Sequence, residues 1–179
     1  MRKMTLLLLF LITLTLKGQY KINSADGITN FEASIPLFEE VEAVNKKTHC
    51  TLITSTGELI CWLYIKDFDF KRNLMQEHFN NIYMESSRYP KAIFKGKIKN
   101  FDINKLTSIN SFYQIKGKIS IKGRTKIIAT QASLKRVNNG VEFSTQFPLN
   151  TDDFRVDIPF VVRTKISKIV NTQITCVMK

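Results

Sequence analysis

The strict alternation of apolar and cationic residues in two segments constrains the fold more than any other feature of the sequence. In Ala92–Asn100, Phe94, Gly96 and Ile98 fall on one face, and lysines occupy the other. The same pattern runs through Phe112–Arg124. Because successive side chains of a strand point to opposite sides of its sheet, both segments are predicted to be strands with one dry face and one wet, cationic face.

Further segments share this period of two and are bounded by turn residues. They are Asn30–Ile35, Val41–Lys46, Cys50–Ser55, Glu58–Lys66, Lys126–Val137, Val141–Asn150 and Lys165–Met178. Ser55–Gly57 and Asn138–Gly140 have the composition of hairpin loops, and the second suits the positive φ angles of a primed turn. Many short strands joined by hairpins indicate an antiparallel barrel or sandwich. The fold class is therefore all-β.

One segment, Asn73–Tyr83, breaks the alternation. Its apolar residues form a single helical stripe made of Leu74, Met75, Phe79, Ile82 and Tyr83. Asn73 and Gln76 resemble a capping box, and Pro90 prevents a helix from continuing past Tyr89. We expect one helix of about three turns across the mouth or the side of the barrel.

The N-terminal segment has the pattern of a signal peptide. Arg2 and Lys3 precede the apolar run Leu6–Leu16, which is too short to span a bilayer. We predict a signal peptide at residues 1–18 and a mature domain at 19–179, although a buried core helix is the alternative. No cysteine lies beside the cut for a lipoprotein anchor, so the expected location is periplasmic or secreted. Cleavage lowers the net charge from +12 to +9, since Arg2, Lys3 and Lys17 are lost.

Residues suited to catalysis or metal binding are few. His49 and His78 stand in isolated pairs without the ligand spacing of a zinc site. Asp152 and Asp153 are better explained by a turn or helix start after a strand than by a catalytic carboxylate pair. The sequence therefore predicts no enzyme, no metal and no cofactor.

The three cysteines, Cys50, Cys61 and Cys176, leave two interpretations open. Cys50 and Cys61 flank the turn at Ser55–Gly57 and could meet across a hairpin, and export would permit a disulfide. Buried thiols acting as small hydrophobic side chains are the favoured interpretation. Cys176 is unpaired in either case.

The basic segment 91–136 contains twelve Lys or Arg and one acid, Asp102. The aromatic residues mostly alternate away from the lysines, which argues against a nucleic acid partner. A solvated sheet face and a surface that meets anionic lipid headgroups both remain as interpretations. Glu58–Lys66 is apolar on both faces, so we expect the helix, the N-terminal arm or a second subunit to cover its outer side.

Three stretches together resemble the YceI-like family of exported lipid-binding proteins: Phe68–Asn80, Tyr83–Ser86 and Tyr89–Gly96. Ile115–Gly123 is similar to the family's strand with paired glycines, and Asp152–Val156 to its acidic, aromatic turn. The resemblance covers residues 28–178 and is closest to exported members from Bacteroidetes-type bacteria. It implies an antiparallel, lipocalin-like barrel of eight strands with an elongated apolar cavity. It implies a long-chain lipid or isoprenoid ligand and no catalytic residues, and it allows a homodimer.

These considerations give a first hypothesis, an exported carrier of an apolar-tailed lipid. The candidate lining of its cavity consists of Phe94, Ile98, Ile115, Ile119, Ile121, Phe143 and Phe147 from strands and Leu74, Phe79 and Ile82 from the helix. A second hypothesis is a packed barrel that binds an envelope component through its outer surface. A third, an enzyme acting on a lipid, would need titratable groups in the cavity. Gly96 and Gly117 remove volume from dry faces, which fits a cavity or a strand bend equally well.

Overall fold

The computed structural model describes residues 20–38 and 40–179. The predicted signal peptide, residues 1–18, lies outside the described residues. In the described part of the chain, no helix is both long enough and apolar enough to cross a membrane.

The described residues form nine strands and little helix. In chain order, β1 to β9 are Lys21–Ser34, Glu42–Ile53, Glu58–Tyr64, Asp69–Phe70, Lys91–Ile98, Ser111–Ile121, Arg124–Val137, Gly140–Asn150 and Ile166–Met178. The hydrogen-bonded order is β1-β9-β8-β7-β6-β5-β3-β2-β4, and all pairs are antiparallel. Because β1 also pairs with β2, eight strands close into a barrel and β4 is a short addition to β2. The predicted eight-stranded antiparallel barrel is confirmed, and the sandwich is excluded.

Two strands differ from the prediction. Val41–Lys46 and Cys50–Ser55 belong to one continuous strand, β2, because the polar residues between them stay in the sheet. The buried Thr48 hydroxyl hydrogen-bonds that of Thr29 at 2.7 Å, which satisfies a polar group that looked like a strand end. β1 begins at Lys21, well before Asn30, and its register shifts around Gly27. A Cβ at Gly27 would lie 2.8 Å from the Thr48 carbonyl oxygen, so the irregular stretch suits a glycine.

The hairpin loops are also distributed differently. Asn138 and Asn139 connect β7 to β8 without positive φ angles, so the predicted primed geometry is wrong there. The positive φ angles instead occur in the loop between β6 and β7, at Lys122 (47°) and Gly123 (70°). Consecutive residues of this kind characterise a primed turn, which matches the twist of the strands that it joins.

The predicted helix is present as two joined pieces. The α-helix α1 spans Asn73–His78, and one π-helical turn continues through Phe79–Tyr83. The capping box is wrong, because Arg72 is the N-cap and makes no side-chain cap bond. Gln76 instead accepts a hydrogen bond from the Phe70 amide at 3.4 Å, which ties α1 to β4.

The interior of the barrel has two packed regions. The larger lies toward the end where β5 and β6 are connected, and it includes Ile98, Ile115, Leu134, Phe143 and Met178, each at most 1% exposed. The loop between β5 and β6 covers this far end, held by hydrogen bonds from the Arg136 guanidinium to two of its carbonyl groups. The smaller region lies at the opposite end, beneath α1. We call that opposite end the mouth.

Cys50 and Cys61 form a disulfide bond. They are directly opposite each other on β2 and β3, and both are buried. The favoured interpretation of two free thiols is therefore wrong, and the cross-hairpin alternative is right. Register explains the outcome, because closely apposed residues on neighbouring antiparallel strands bring their Cβ atoms within disulfide range. Cys176 is a free, buried cysteine.

Candidate functional site

The mouth half of the barrel contains a cavity of about 330 Å³. Its walls come from every long strand of the barrel except β7, from α1 and its π-helical turn, and from the connection between β8 and β9. Ligand pockets in proteins measure roughly 300–1,000 Å³, so the cavity lies at the small end of that range. The far half is filled by the side chains of the larger core region. The barrel is therefore packed at one end and hollow at the other.

Four phenylalanine rings form one wall of the cavity near the mouth. Phe31 on β1 lies 5.1 Å from Phe68 and 5.4 Å from Phe79, measured between ring centroids. Phe70 on β4 lies 5.0 Å from Phe79. Such pairs add roughly 0.5–1.5 kcal/mol each beyond the burial of their area. Phe79 thus fixes the helical segment against the barrel, and all four rings line the cavity.

Phe94 forms the floor of the cavity, where the hollow half meets the packed half. Gly96 and Gly117 are directly opposite each other on β5 and β6. A Cβ at either position would lie 2.5 Å (Gly96) or 2.7 Å (Gly117) from Cζ of Phe94. The two glycines therefore make room for a ring, and the volume that they free is occupied by Phe94. Their direct role is therefore to accommodate this ring.

The ten residues predicted to line a cavity fall into three groups. Those in the cavity wall are Phe79, Phe94, Ile119, Ile121 and Phe147. Ile98, Ile115 and Phe143 lie outside the lining, buried in the packed far half. Leu74 and Ile82 also lie outside it, and they are 62% and 53% exposed. Contact of any of the ten with a ligand stays a prediction.

The reason for this division is that alternation gives the direction of a side chain and not its height in the barrel. Ile115 and Ile119 share one face of β6, but Ile115 lies deeper, in the filled half. On the helical segment, Met75, Phe79 and Tyr83 are four residues apart and line the cavity, which places Leu74 and Ile82 on other sides.

Several lining residues were missed by the sequence analysis. Phe68 and Phe70 lie just before α1, beside and within the two-residue strand β4, which is too short for either periodicity to show. Phe154 and Val156 belong to the connection between β8 and β9. Their signal is high local apolar content within a stretch that looks like a loop.

Asp152 and Asp153, in the same connection, lie in the first turn of a 3-10 helix that begins at Thr151, as the turn interpretation predicted. They pair with Lys168 and Lys126 on the surface.

A buried lysine holds the end of the helical segment over the mouth. Nζ of Lys122, in the β6–β7 turn, donates to the carbonyl oxygen of Tyr83 at 2.8 Å and pairs with Oε1 of Glu85 at 2.9 Å. The Lys122 side chain is 10% exposed. Desolvation raises the pKa of the Tyr83 phenol above its usual value. The contacts of Lys122 with Tyr83 and Glu85, which we call the latch, join the β6–β7 turn to the segment that covers the mouth.

The chemistry of the lining is almost wholly apolar. Within the described residues, the lining contains no Asp, Glu, Lys or Arg, and its polar members include Thr48, Asn150, Ser167 and Thr172. Its titratable side chains are those of His78 and Tyr83, because Cys61 is in the disulfide. Across the described part of the chain, no group of three or more His, Cys, Asp or Glu residues is placed to hold a metal ion. The site is suited to apolar contact.

Solved structures share this architecture at low sequence identity. A domain from Saccharophagus degradans, described as polyisoprenoid-binding and implicated in plant cell wall breakdown, matches with a TM-score of 0.76 at 14% identity, covering 90% of this chain and 99% of that one. BcnA of Burkholderia cenocepacia matches with a TM-score of 0.67 at 15% identity, covering 83% of this chain and 94% of that one. The YCEI protein of Campylobacter jejuni matches with a TM-score of 0.53 at 14% identity, covering 92% of this chain and 88% of that one.

The sequence itself is informative at the level of the family. No curated protein sequence matches the chain. The sequence profile of the YceI-like domain matches residues 14–178. That match includes all nine strands, and it agrees with the stretches around α1 that resembled the family. The chain therefore belongs to the YceI-like family.

Proposed function

We propose that this protein is an exported carrier that holds one long-chain amphiphile, of isoprenoid or fatty-acyl type, in the cavity at the mouth of its barrel. The observation that carries the proposal is the composition of the wall, in which mostly apolar side chains surround about 330 Å³ and no Asp, Glu, Lys or Arg of the described residues takes part. A charged group placed inside would lose its hydration without gaining a partner. A charged headgroup therefore belongs outside, at the rim of the mouth, and the buried part of the ligand is neutral.

Burial of the hydrocarbon chain alone supplies enough free energy for binding, without specific polar contacts. Each buried methylene contributes ~0.8 kcal/mol, so ten would contribute about 8 kcal/mol before the cost of ordering the chain. The cavity gives few polar groups for orientation, which favours selection by length and shape over selection by headgroup. The polyisoprenoid-binding description of the Saccharophagus degradans domain supports the same ligand class, since that domain has the same fold.

A binding role, in place of catalysis, is part of the proposal. An enzyme that acted on the buried chain would need an acid, a base or a nucleophile next to it. His78 and Tyr83 are the titratable lining residues among those described, and they are not hydrogen-bonded to each other. A barrel that acts only through its outer surface is the second candidate. The filled level around Phe94, Gly96 and Gly117 is the observation that favours it.

Processing and assembly complete the proposal. We propose that residues 1–18 are removed on export and that the protein works in the periplasm or outside the cell. The apolar residues on the outer side of β3, Ile60, Trp62 and Tyr64, are half-buried in the described chain, and we propose that a homodimer through that side completes their burial. Light scattering on the purified protein should then give twice the mass of the mature chain, and a monomer mass would contradict this part.

Native mass spectrometry tests the carrier directly. Protein purified from its own envelope should carry a lipid, and delipidated protein should take up polyprenols or long-chain alcohols in a one-to-one complex. Ala92 lines the cavity, and an Ala92→Phe variant should lower uptake by filling the space. Ala129→Phe is the matched control, because Ala129 is exposed on β7 outside the lining. A clean mass of the free protein in every condition, or equal uptake by the two variants, would overturn the proposal.

A further inference from the structure

Four lysines project from the outer surface of neighbouring strands at the same level. Lys95 and Lys97 are on β5, and Lys116 and Lys118 are on β6. All four are exposed. The register places Lys95 directly opposite Lys118, and Lys97 directly opposite Lys116. We call this group, together with the outward residues beside it on β7, the lysine face.

Two cross-strand pairs of like charge are unfavourable for the fold. Opposed side chains on antiparallel strands have Cβ atoms about 4.5–5.5 Å apart, and like charges at this spacing destabilise the sheet. None of the four lysines forms an ion pair with a described residue. Glu58 on β3, opposite Lys97, is the one carboxylate that the described strands place beside them. The arrangement is therefore a concentration of unneutralised positive charge that an anionic partner would relieve.

Large apolar side chains stand among the lysines. Ile127 on β7 is directly opposite Lys118 and is 66% exposed. Phe112, on the same face of β6 as Lys116 and Lys118, is 65% exposed. Exposed apolar side chains surrounded by cations suit the boundary between lipid headgroups and acyl chains. A nucleic acid would instead be met by a row of aromatic rings for its bases.

From the charge, the exposed apolar residues and their common face, we propose that the lysine face docks the protein on a bilayer that contains anionic lipid. Lys95, Lys97, Lys116 and Lys118 lie against the headgroups, while Phe112 and Ile127 enter the interface. This inference rests on the proposed carrier function, because a membrane is the source and the destination of the cargo. The partner that the chemistry selects is the anionic surface itself, and no single headgroup is required.

The test is binding to vesicles by delipidated, processed protein, with phosphatidylcholine vesicles compared to vesicles that also contain phosphatidylglycerol. Each lysine near such a surface contributes about fivefold to the partition coefficient, so Lys95→Gln with Lys118→Gln should lower it roughly 25-fold. The double variant should unfold at the same temperature or higher, because it removes a repulsive pair. The matched control is Lys21→Gln with Lys165→Gln, which removes the same charge from exposed positions on β1 and beside β9, across the barrel.

The Ile127→Ser variant distinguishes binding to a membrane from binding to other polyanions. It should weaken vesicle binding about tenfold, since an isoleucine side chain that leaves water contributes to partitioning, and it should leave binding to an oligonucleotide or an acidic polysaccharide unchanged. Three results would each overturn the inference: an equal loss of vesicle binding in the control Lys21→Gln with Lys165→Gln, binding that does not depend on phosphatidylglycerol, or tighter binding to a polyanion than to vesicles. Cargo uptake from detergent solution is measured in parallel. Uptake without vesicle binding would refute docking alone, and vesicle binding without uptake would refute the carrier alone.

Discussion

Phe94 separates the hollow half of the barrel from the packed half, so its truncation should lengthen the cavity. The ring lies over Gly96 and Gly117, which have no side chains of their own to fill that level when the ring is removed. The space should accept about four to six additional methylenes, each worth ~0.8 kcal/mol on burial. For a chain long enough to reach it, Phe94→Ala should therefore improve affinity about 100-fold or more. The preferred length in a series of linear alcohols should rise accordingly.

Phe143→Ala is the control for this experiment. Phe143 is 1% exposed, Phe94 is 9% exposed, and both belong to the same core cluster, but Phe143 does not line the cavity. Each truncation should cost about 3–5 kcal/mol of folding free energy and lower the melting temperature by roughly 10 °C. Competition between alcohols of different length, followed by native mass spectrometry, should show the shift for Phe94→Ala alone. An unchanged optimum, or the same shift in both variants, would refute the assignment of Phe94 as the floor.

Three further predictions concern the latch, the glycine pair and the buried thiol. Lys122→Met removes the contacts to Tyr83 and Glu85. Because hydrogen bonds to charged groups contribute about 1.5–3 kcal/mol, stopped-flow measurements should show cargo release at least tenfold faster. An unchanged rate would show that the latch does not limit the exit of cargo. Gly117→Ala should lower stability to urea by roughly 1–3 kcal/mol, because its Cβ would lie 2.5 Å from a carbonyl oxygen of β5, and full retention of stability would contradict this packing. Burial, with Asp26 nearby, raises the pKa of the Cys176 thiol from 9.0 to about 12. The unfolded chain therefore loses this proton first, and the free energy of unfolding should fall as pH rises from about 9 toward 12. Denaturation measured across this pH range should show a smaller fall for Cys176→Ala.

The closed barrel could be predicted because the evidence for it is repeated along the chain. Period-two alternation identified every long strand at least in part, and Pro90 and the helical stripe identified the segment over the mouth. The continuity of β2 through Thr48 and the part of β1 before Asn30 were missed for a physical reason. The hydroxyl groups of Thr48 and Thr29 satisfy each other inside the barrel, and such a long-range pair has no local signature.

The cavity was less predictable than the fold. Ile98 and Ile119 carry the same signal in sequence, an isoleucine on the dry face of a strand, and yet one lies in packed core and the other lines the cavity. Height along the barrel axis depends on register and on strand tilt, which are set by closure of the whole sheet. The paired glycines were recognised as unusual, but the ring that fills their space could not be inferred without knowing that they are directly opposite each other.

The closure of this sheet pairs its first strand, β1, with its last, β9. β1 lies between β2 and β9, and the backbone of Asn23 exchanges hydrogen bonds with that of Lys179, at 2.8 and 2.9 Å. The first strand therefore lacks one neighbour until β9 has been synthesised. Pairings so distant in sequence form slowly, and a chain still emerging from the ribosome would keep an open edge. This delay suits the export proposed above, since a polypeptide threaded unfolded through a translocon would close its sheet only once β9 had arrived.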